Sequence, residues 1–225
     1  MGFNYYIFLL KILLNFNLFY SIIKIYIMPK RRQQEENDFQ KEYDNYFGLS
    51  EVQLLDAYKC MLMTRLTDDR IETLIKQGKA AFLISGSGHE AIQIALAMAM
   101  RGGKDWFYTY YRDDALGIAL GLTVEDLLRH AMGKATDSFA GGRQMATHLG
   151  SKSLRMPTAS SPTGSQYLQA VGTAISCKFR NTDEIVYVSG GEGSTSEGEF
   201  FEAVNWASRD KLPVIFCIQN NFITN

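Results

Sequence analysis

Between Ile185 and Asn221 the chain reads IVYVSGGEGSTSEGEFFEAVNWASRDKLPVIFCIQNN, and no other stretch restricts its fold so tightly. Two short apolar runs, Ile185 to Ser189 and Val214 to Gln219, flank a segment with Phe200, Phe201, Val204 and Ala207 at helical spacing. That pattern is the strand, helix, strand unit of a parallel sheet, which predicts an α/β fold with helices flanking the sheet. The first strand is expected to stop at Gly190, Gly191 and Gly193, which let backbone approach a ligand closely. The helix is expected to start near Ser196 with Glu199 as its capping-box partner, and Pro213 marks its exit. Asn220 and Asn221 close the second strand, so Glu192 and the asparagines are expected to meet at the sheet edge where ligands of such sheets sit.

Three chemistries compete for this turn. A phosphate-cradling P-loop needs a lysine after its last glycine, but Gly198 is followed by Glu199. A dinucleotide fingerprint needs a glycine where Ser196 stands and an acidic residue after the next strand, so it fits poorly. A divalent metal held by one carboxylate, one amide oxygen and one backbone carbonyl, with diphosphate and water completing an octahedron as Mg²⁺ prefers, uses every polar residue present.

Gly191-Glu192-Gly193, a spacer and Asn220-Asn221 resemble the thiamine-diphosphate signature. From roughly Leu49 to Asn221 the chain resembles the alpha subunit of the decarboxylating component of 2-oxo acid dehydrogenase complexes. Tyr110-Tyr111-Arg112-Asp113, Gly142-Arg143-Gln144-Met145, Ser160-Ser161-Pro162 and Gly191 to Glu197 carry the likeness. The resemblance implies that Tyr111 and Arg112 hold the diphosphate, Arg through a bidentate contact, and that Ser161 and Thr163 touch the aminopyrimidine ring through the main chain. It implies cofactor contacts at Glu192, Gly193, Ser194 and Asn221, and Mg²⁺ ligation by Glu192, the Asn221 side chain and the Ile223 carbonyl. Ser160, Pro162, Ser165 and Gln166 match positions that hold a monovalent cation, such as K⁺, in branched-chain relatives. The implied reaction is oxidative decarboxylation of a branched-chain 2-oxo acid, or alternatively of pyruvate or acetoin, with the acyl unit passing to a lipoyl-bearing acyltransferase. The implied partner is a beta-type subunit or a fused beta half in an oligomer, and that part contributes the Glu that activates the aminopyrimidine. The family's catalytic histidine is placed well after the asparagine pair, so the chain as given is expected not to turn over. A transketolase-type enzyme and a catalytically silent fragment are the rival readings, and so is a plain α/β domain without a cofactor.

Elsewhere the pattern is mostly scaffold. Leu54, Tyr58, Met61, Leu62, Leu66, Ile71, Leu74 and Ile75 predict one long amphipathic helix ending at Gly78. A glycine turn at Gly86 to Gly88 leads into a helix opened by His89, a minor candidate that reads more readily as a structural hydrogen-bonding residue. Trp106 to Asp114 ends a short aromatic strand in charged residues, and Val124 to Met132 predicts a scaffold helix. The loop from Asp137 to Ser165 is too long for a plain connector and is expected to line the site, with His148 as a second minor candidate.

The chain opens differently. Residues 1–27 are built largely from Phe, Tyr, Met, Ile, Asn and Lys, yet Lys11, Asn15, Asn17 and Lys24 interrupt any membrane-length apolar run. They read as an apolar leader or translated upstream sequence before Met28, followed by a polar arm at 28–48 and one cofactor-binding domain at 49–225. A net charge of −1 gives no reason to invoke nucleic acid or a membrane surface. Cys60, Cys177 and Cys217 lack metal spacing and read as buried free thiols of a reducing, cytoplasmic compartment.

Overall fold

The computed structural model describes residues 48–222, so the readings for 1–27, for the arm before Gly48 and for Ile223 lie outside the described residues. In chain order the elements are α1 (Glu51–Lys76), α2 (Glu90–Ala99), β1 (Trp106–Tyr108), α3 (Asp114–Leu120), α4 (Val124–Ala131), α5 (Ser165–Phe179), β2 (Val186–Gly191), α6 (Gly198–Asp210) and β3 (Val214–Gln219). The strands form a parallel sheet in the order β1-β2-β3, with Phe107 opposite Tyr187, Tyr187 opposite Ile215, and Gly191 opposite Gln219. Parallel pairing explains the near-continuous apolar composition of β2, since helices cover both faces.

Alternation along β2 divides the interior into two cores. Val186 and Val188 point into one with Tyr167, Val171 and Ala174 of α5 and Ala203 and Ala207 of α6. Tyr187 points into the other with Phe107 of β1, Leu96 of α2, Leu116 of α3 and Leu127 of α4. Val186, Tyr187 and Val188 are fully buried, which makes β2 the axis of the molecule.

The structure corrects several expectations about elements. β2 does not stop before the glycines; it runs through Gly190 to Gly191, because Gly190 and Gly191 keep their pairing with Ile218 and Gln219. A 3₁₀ turn, Glu192–Ser196, comes next, and α6 starts at Gly198 with Glu197 as N-cap and no side-chain cap, so the capping box at Ser196 and Glu199 does not form. Phe201 is exposed and Val204 only partly covered; α6 buries its small residues Ala203 and Ala207 instead. α4 ends at Ala131, with Met132 as C-cap.

α1 has the predicted span, capped by Ser50, and buries Ile71 and Leu74 as expected, but ahead of them it turns a different face inward. It buries Thr64, Thr67, Asp68, Ile71 and Leu74, and leaves Leu55, Tyr58, Leu62 and Leu66 exposed. The Thr64 and Thr67 hydroxyls donate back to the Cys60 and Met63 carbonyls at 2.9 and 2.8 Å, which lets polar residues enter the core satisfied. Of the three free thiols, Cys177 and Cys217 are buried as expected, whereas Cys60 is only half-buried. Among the described residues no helix is long and apolar enough to cross a membrane.

Candidate active site

All three strands end at one polar layer. Gln219 donates to Asp113 Oδ1 at 2.5 Å, Ser189 donates to Asp113 Oδ2, and the Tyr110 N–H and Tyr187 hydroxyl approach the same Oδ2 at 3.3 and 3.5 Å. Burial pushes the Asp113 carboxyl up to about 6, against the pull of its Ser189 and Gln219 bonds. Every group facing it donates, so the network is built for the carboxylate. From α2, Gln93 donates to the Arg112 carbonyl at 2.7 Å and to Gln219 Oε1 at 2.9 Å. From α5, Gln166 donates to the Ser189 carbonyl at 2.9 Å.

Above this layer opens a cleft of about 290 Å³. Tyr110, Tyr111 and Arg112 form one wall, Ser160, Ser161, Pro162, Thr163 and Gln166 another, and Gly191 to Ser194 with Gln219 and Asn221 the rest. The sequence placed Tyr111, Arg112, Ser161, Thr163, Glu192, Gly193, Ser194 and Asn221 in one site, and the structure brings all of them to this cleft.

The turn is shaped from below. The Ser194 hydroxyl donates to the Gly191 carbonyl at 2.6 Å and accepts from the Tyr167 hydroxyl at 2.5 Å, so its side chain serves the turn. Gly190 is obligatory here: a Cβ would lie 1.9 Å from the Tyr167 hydroxyl. Across the lip, the Asn221 N–H donates to Glu192 Oε2 at 3.3 Å, so the carboxylate and the asparagine meet as their strand ends require.

Arg112 is oriented rather than free. Its Nη1 donates to the Ser85 carbonyl at 2.6 Å and its guanidinium lies 5.4 Å from the Tyr111 ring. Gly86 makes the close approach possible, since a Cβ there would stand 2.5 Å from the Arg112 carbonyl. His89 lies outside the cleft lining at the start of α2. Burial, and then the Arg112 guanidinium, hold its imidazole below the ordinary value, with Glu90 and Glu192 pulling the other way. His148 is buried behind the wall: its Nδ1 donates to the Ala146 carbonyl at 3.1 Å, leaving Nε2 to accept from the Ser161 hydroxyl at 2.7 Å. It braces Ser161 and does not face the cleft.

The sequence did not single out Tyr110, Gln219 or Glu197 as lining residues, nor Gln93 beneath them. Tyr110 is 5% exposed and its hydroxyl has no hydrogen-bond partner among the described residues, although it stands in the cleft wall. A buried orphan hydroxyl in a polar cleft is what a bound ligand would satisfy. The donor set matches a diphosphate and its metal: a fixed guanidinium, a carboxylate and a side-chain amide. Among the described residues no group of three or more His, Cys, Asp or Glu side chains gathers.

The dehydrogenase E1 component family model matches residues 58–224. The chain is similar to the 2-oxoisovalerate dehydrogenase subunit alpha of Bacillus subtilis (strain 168), with 41% identity over 77% of this chain and 53% of that protein. It is 32% identical to the mitochondrial subunit of that name in Dictyostelium discoideum, over 77% of this chain and 39% of the relative. It is equally 32% identical to the pyruvate dehydrogenase E1 component subunit alpha of Staphylococcus aureus (strain Mu50 / ATCC 700699), over 77% and 44%. The chain spans about half the length, or less, of these relatives. With the family match spread across α1, all three strands and every wall of the cleft, the chain belongs to the dehydrogenase E1 component family.

Proposed function

We propose that this chain carries the diphosphate- and metal-holding part of a 2-oxo acid dehydrogenase, binding thiamine diphosphate with Mg²⁺. The observation that carries this reading is the meeting of Glu192 with the Asn221 N–H at 3.3 Å on the lip of a cleft that Arg112 also lines. Glu192 and the Asn221 side chain would hold Mg²⁺, with the Ile223 carbonyl as third ligand. Tyr111 and Arg112 would take the diphosphate, while the backbone of Gly193 and Ser194 closes over it. Ser161 and Thr163 would seat the aminopyrimidine, with His148 fixing Ser161 from behind. When bound, thiamine diphosphate supplies a nucleophilic thiazolium carbon that also accepts the electrons left by CO₂ loss. The protein's share is to bind, orient and exclude water, since the reactive carbon belongs to the cofactor.

The wider reading is an alpha-type subunit acting with a beta-type subunit or fused beta half in an oligomer, passing its acyl group to a lipoyl-bearing acyltransferase. That reading rests on the similarity to these relatives together with the cleft. Ser160, Pro162, Ser165 and Gln166 remain the candidates for a K⁺ site. The Ser165 hydroxyl donates to the Pro162 carbonyl at 2.7 Å, and Gln166 is tied to β2. We place the protein in the cytoplasm and divide it as translated upstream sequence or an apolar leader at 1–27, a polar arm at 28–48 and one cofactor-binding domain at 49–225.

Glu192→Gln removes a charged oxygen from a hard-cation site while keeping the shape of the side chain. Calorimetry with Mg²⁺ and thiamine diphosphate should show binding weakened roughly 10- to 100-fold, the worth of one charge-assisted contact. Unchanged affinity would take Glu192 out of the site.

A branched-chain 2-oxo acid is the favoured substrate, because identity to a 2-oxoisovalerate relative exceeds that to the pyruvate relative. In the assembled enzyme, kcat/KM for 3-methyl-2-oxobutanoate should exceed that for pyruvate by about 10- to 200-fold per methylene accommodated. A clear preference for pyruvate would reverse the assignment.

A further inference from the structure

Two buried acids take no direct part in the cleft. Asp68 on α1 is 4% exposed, and Asp114, the first residue of α3, is 3% exposed. In each, Oδ1 is sealed from solvent and meets no hydrogen-bond donor among the described residues. α1 and α3 pack directly on each other, and of the charges acting on Asp114 that of Asp68 is the strongest, with Asp113 next. The charges acting on Asp68 are those of Glu90 and then Arg65, which pair with each other at 2.6 Å. His130 shares a cavity of about 10 Å³ with Asp114, but its Nδ1 meets Asp137 at 3.0 Å and its Nε2 accepts the His148 N–H at 3.1 Å. Two buried carboxylates in one another's field do not both ionise cheaply, and each of these lacks a donor that one proton would supply.

Asp68 also has a tie toward the cleft. Its Oδ2 accepts the Ser85 hydroxyl at 2.5 Å, and the Ser85 carbonyl in turn accepts from Arg112 Nη1 at 2.6 Å. Asp114 lies two residues beyond Arg112 in the chain. Asp68 therefore reaches Arg112 through Ser85, while Asp114 is joined to it by two residues of backbone.

We propose that Asp68 and Asp114 share a single proton, and that this proton makes Asp68 a positioning residue for Arg112. While the proton is held, α1 and the start of α3 stay together and the turn at Ser85 offers its carbonyl to the guanidinium. When it passes to solvent, repulsion between the two carboxylates separates the helices and withdraws that carbonyl. The functional half of this proposal rests on Arg112 binding the diphosphate, as proposed above.

Burial, and then the charges of Asp68 and Asp113, push the Asp114 carboxyl up to about 8, and burial raises Asp68 as well. The folded protein thus holds the proton more tightly than the unfolded chain, where an aspartate titrates near about 4. Stability from this group is full below about pH 4, falls as pH rises toward about 8, and levels above it.

The test uses the full chain and its Asp114→Asn variant, whose amide donates to Asp68 permanently. Infrared difference spectra between the two should show a protonated carboxylic acid band at pH 7 that disappears by pH 9. The melting temperature of the variant should exceed that of the parent by a margin that grows up to about pH 8 and then stays constant. Calorimetry with Mg²⁺ and thiamine diphosphate should find the parent's affinity falling about tenfold per pH unit above pH 8, and the variant's nearly flat. Ser85→Ala should weaken binding at every pH while leaving the infrared band in place. No acid band at pH 7, or identical pH profiles of affinity in parent and variant, would overturn the proposal. A melting temperature that responds to K⁺ or Na⁺ instead of pH would put a cation in the proton's place and overturn it as well. If the parent binds no cofactor at any pH while its acid band still titrates, the cofactor reading fails and the coupling to Arg112 with it, but the shared proton stands.

Discussion

Gly190→Ala is expected to destabilise the protein by several kcal/mol and to abolish measurable thiamine diphosphate binding. The new methyl would lie 1.9 Å from the Tyr167 hydroxyl, 2.8 Å from its Cζ and 2.7 Å from Ser194 Oγ. Tyr167 cannot retreat, being fully buried with its ring 5.1 Å from that of Phe200 and 6.1 Å from that of Phe216. Overpacking usually costs about 1–3 kcal/mol, and a backbone-proximal clash with a fixed ring belongs at or above the top of that range. The 3₁₀ turn must move instead, and it carries Glu192 to Ser194 with it. Thermal melts and calorimetry read the two losses separately. Adding Tyr167→Phe, which removes the clashing oxygen, should restore part of both; a double variant no better than the single would show that the clash is not the cause.

Asp113→Ala is the second large effect. It strips the acceptor from Ser189, Gln219, the Tyr110 N–H and the Tyr187 hydroxyl, all of which are buried. Leaving buried donors unpaired costs about 1–3 kcal/mol for each one that finds no water, so a loss of about 4 kcal/mol is expected. At roughly 2–4 °C per kcal/mol for a chain of this size, the melting temperature should drop by about 8–16 °C. Asp113→Asn separates charge from shape: its amide would point N–H groups at donors, so it should also destabilise. If Asn is tolerated, the native group is the neutral acid. Because burial holds this carboxyl near 6, above its unfolded value, the stability it contributes declines between about pH 4 and pH 6.

Local pattern made the central unit legible. β3 runs from Val214 to Gln219 as its apolar run suggests, and β1 covers three residues of the aromatic run. The motifs around Tyr111, Ser161 and Glu192 converge on one cleft because strand ends in a parallel sheet share an edge. What escaped has a common physical origin. The face of α1 was misread because Thr64 and Thr67 satisfy their hydroxyls on their own helix, and so can be buried where a hydrophobic pattern has no entry for them. The polar layer escaped because its partners are far apart in the chain: Gln219 and Asp113 are separated by 106 positions, Gln93 and Gln219 by 126. No window of sequence contains both ends of such a bond. The start of α6 escaped because tight pairing of Gly190 and Gly191 extends the strand, which pushes the turn and the helix along.

Gln93 links elements that otherwise would open separately. Its one side chain donates to the Arg112 carbonyl and Gln219, and accepts the N–H groups of Ala115 at 3.1 Å and Leu116 at 3.2 Å. Those two amides belong to the first turn of a seven-residue helix, where backbone donors normally lack an intrahelical partner and exchange with solvent quickly. Here each is sealed behind a side chain that is itself fastened to the end of β3. Deuterium can reach them only through an excursion that parts α3 from the sheet, so their exchange should be slow and should share one opening free energy with the Asp113 network. The arginine end of the cleft and its strand floor then breathe as one cooperative unit.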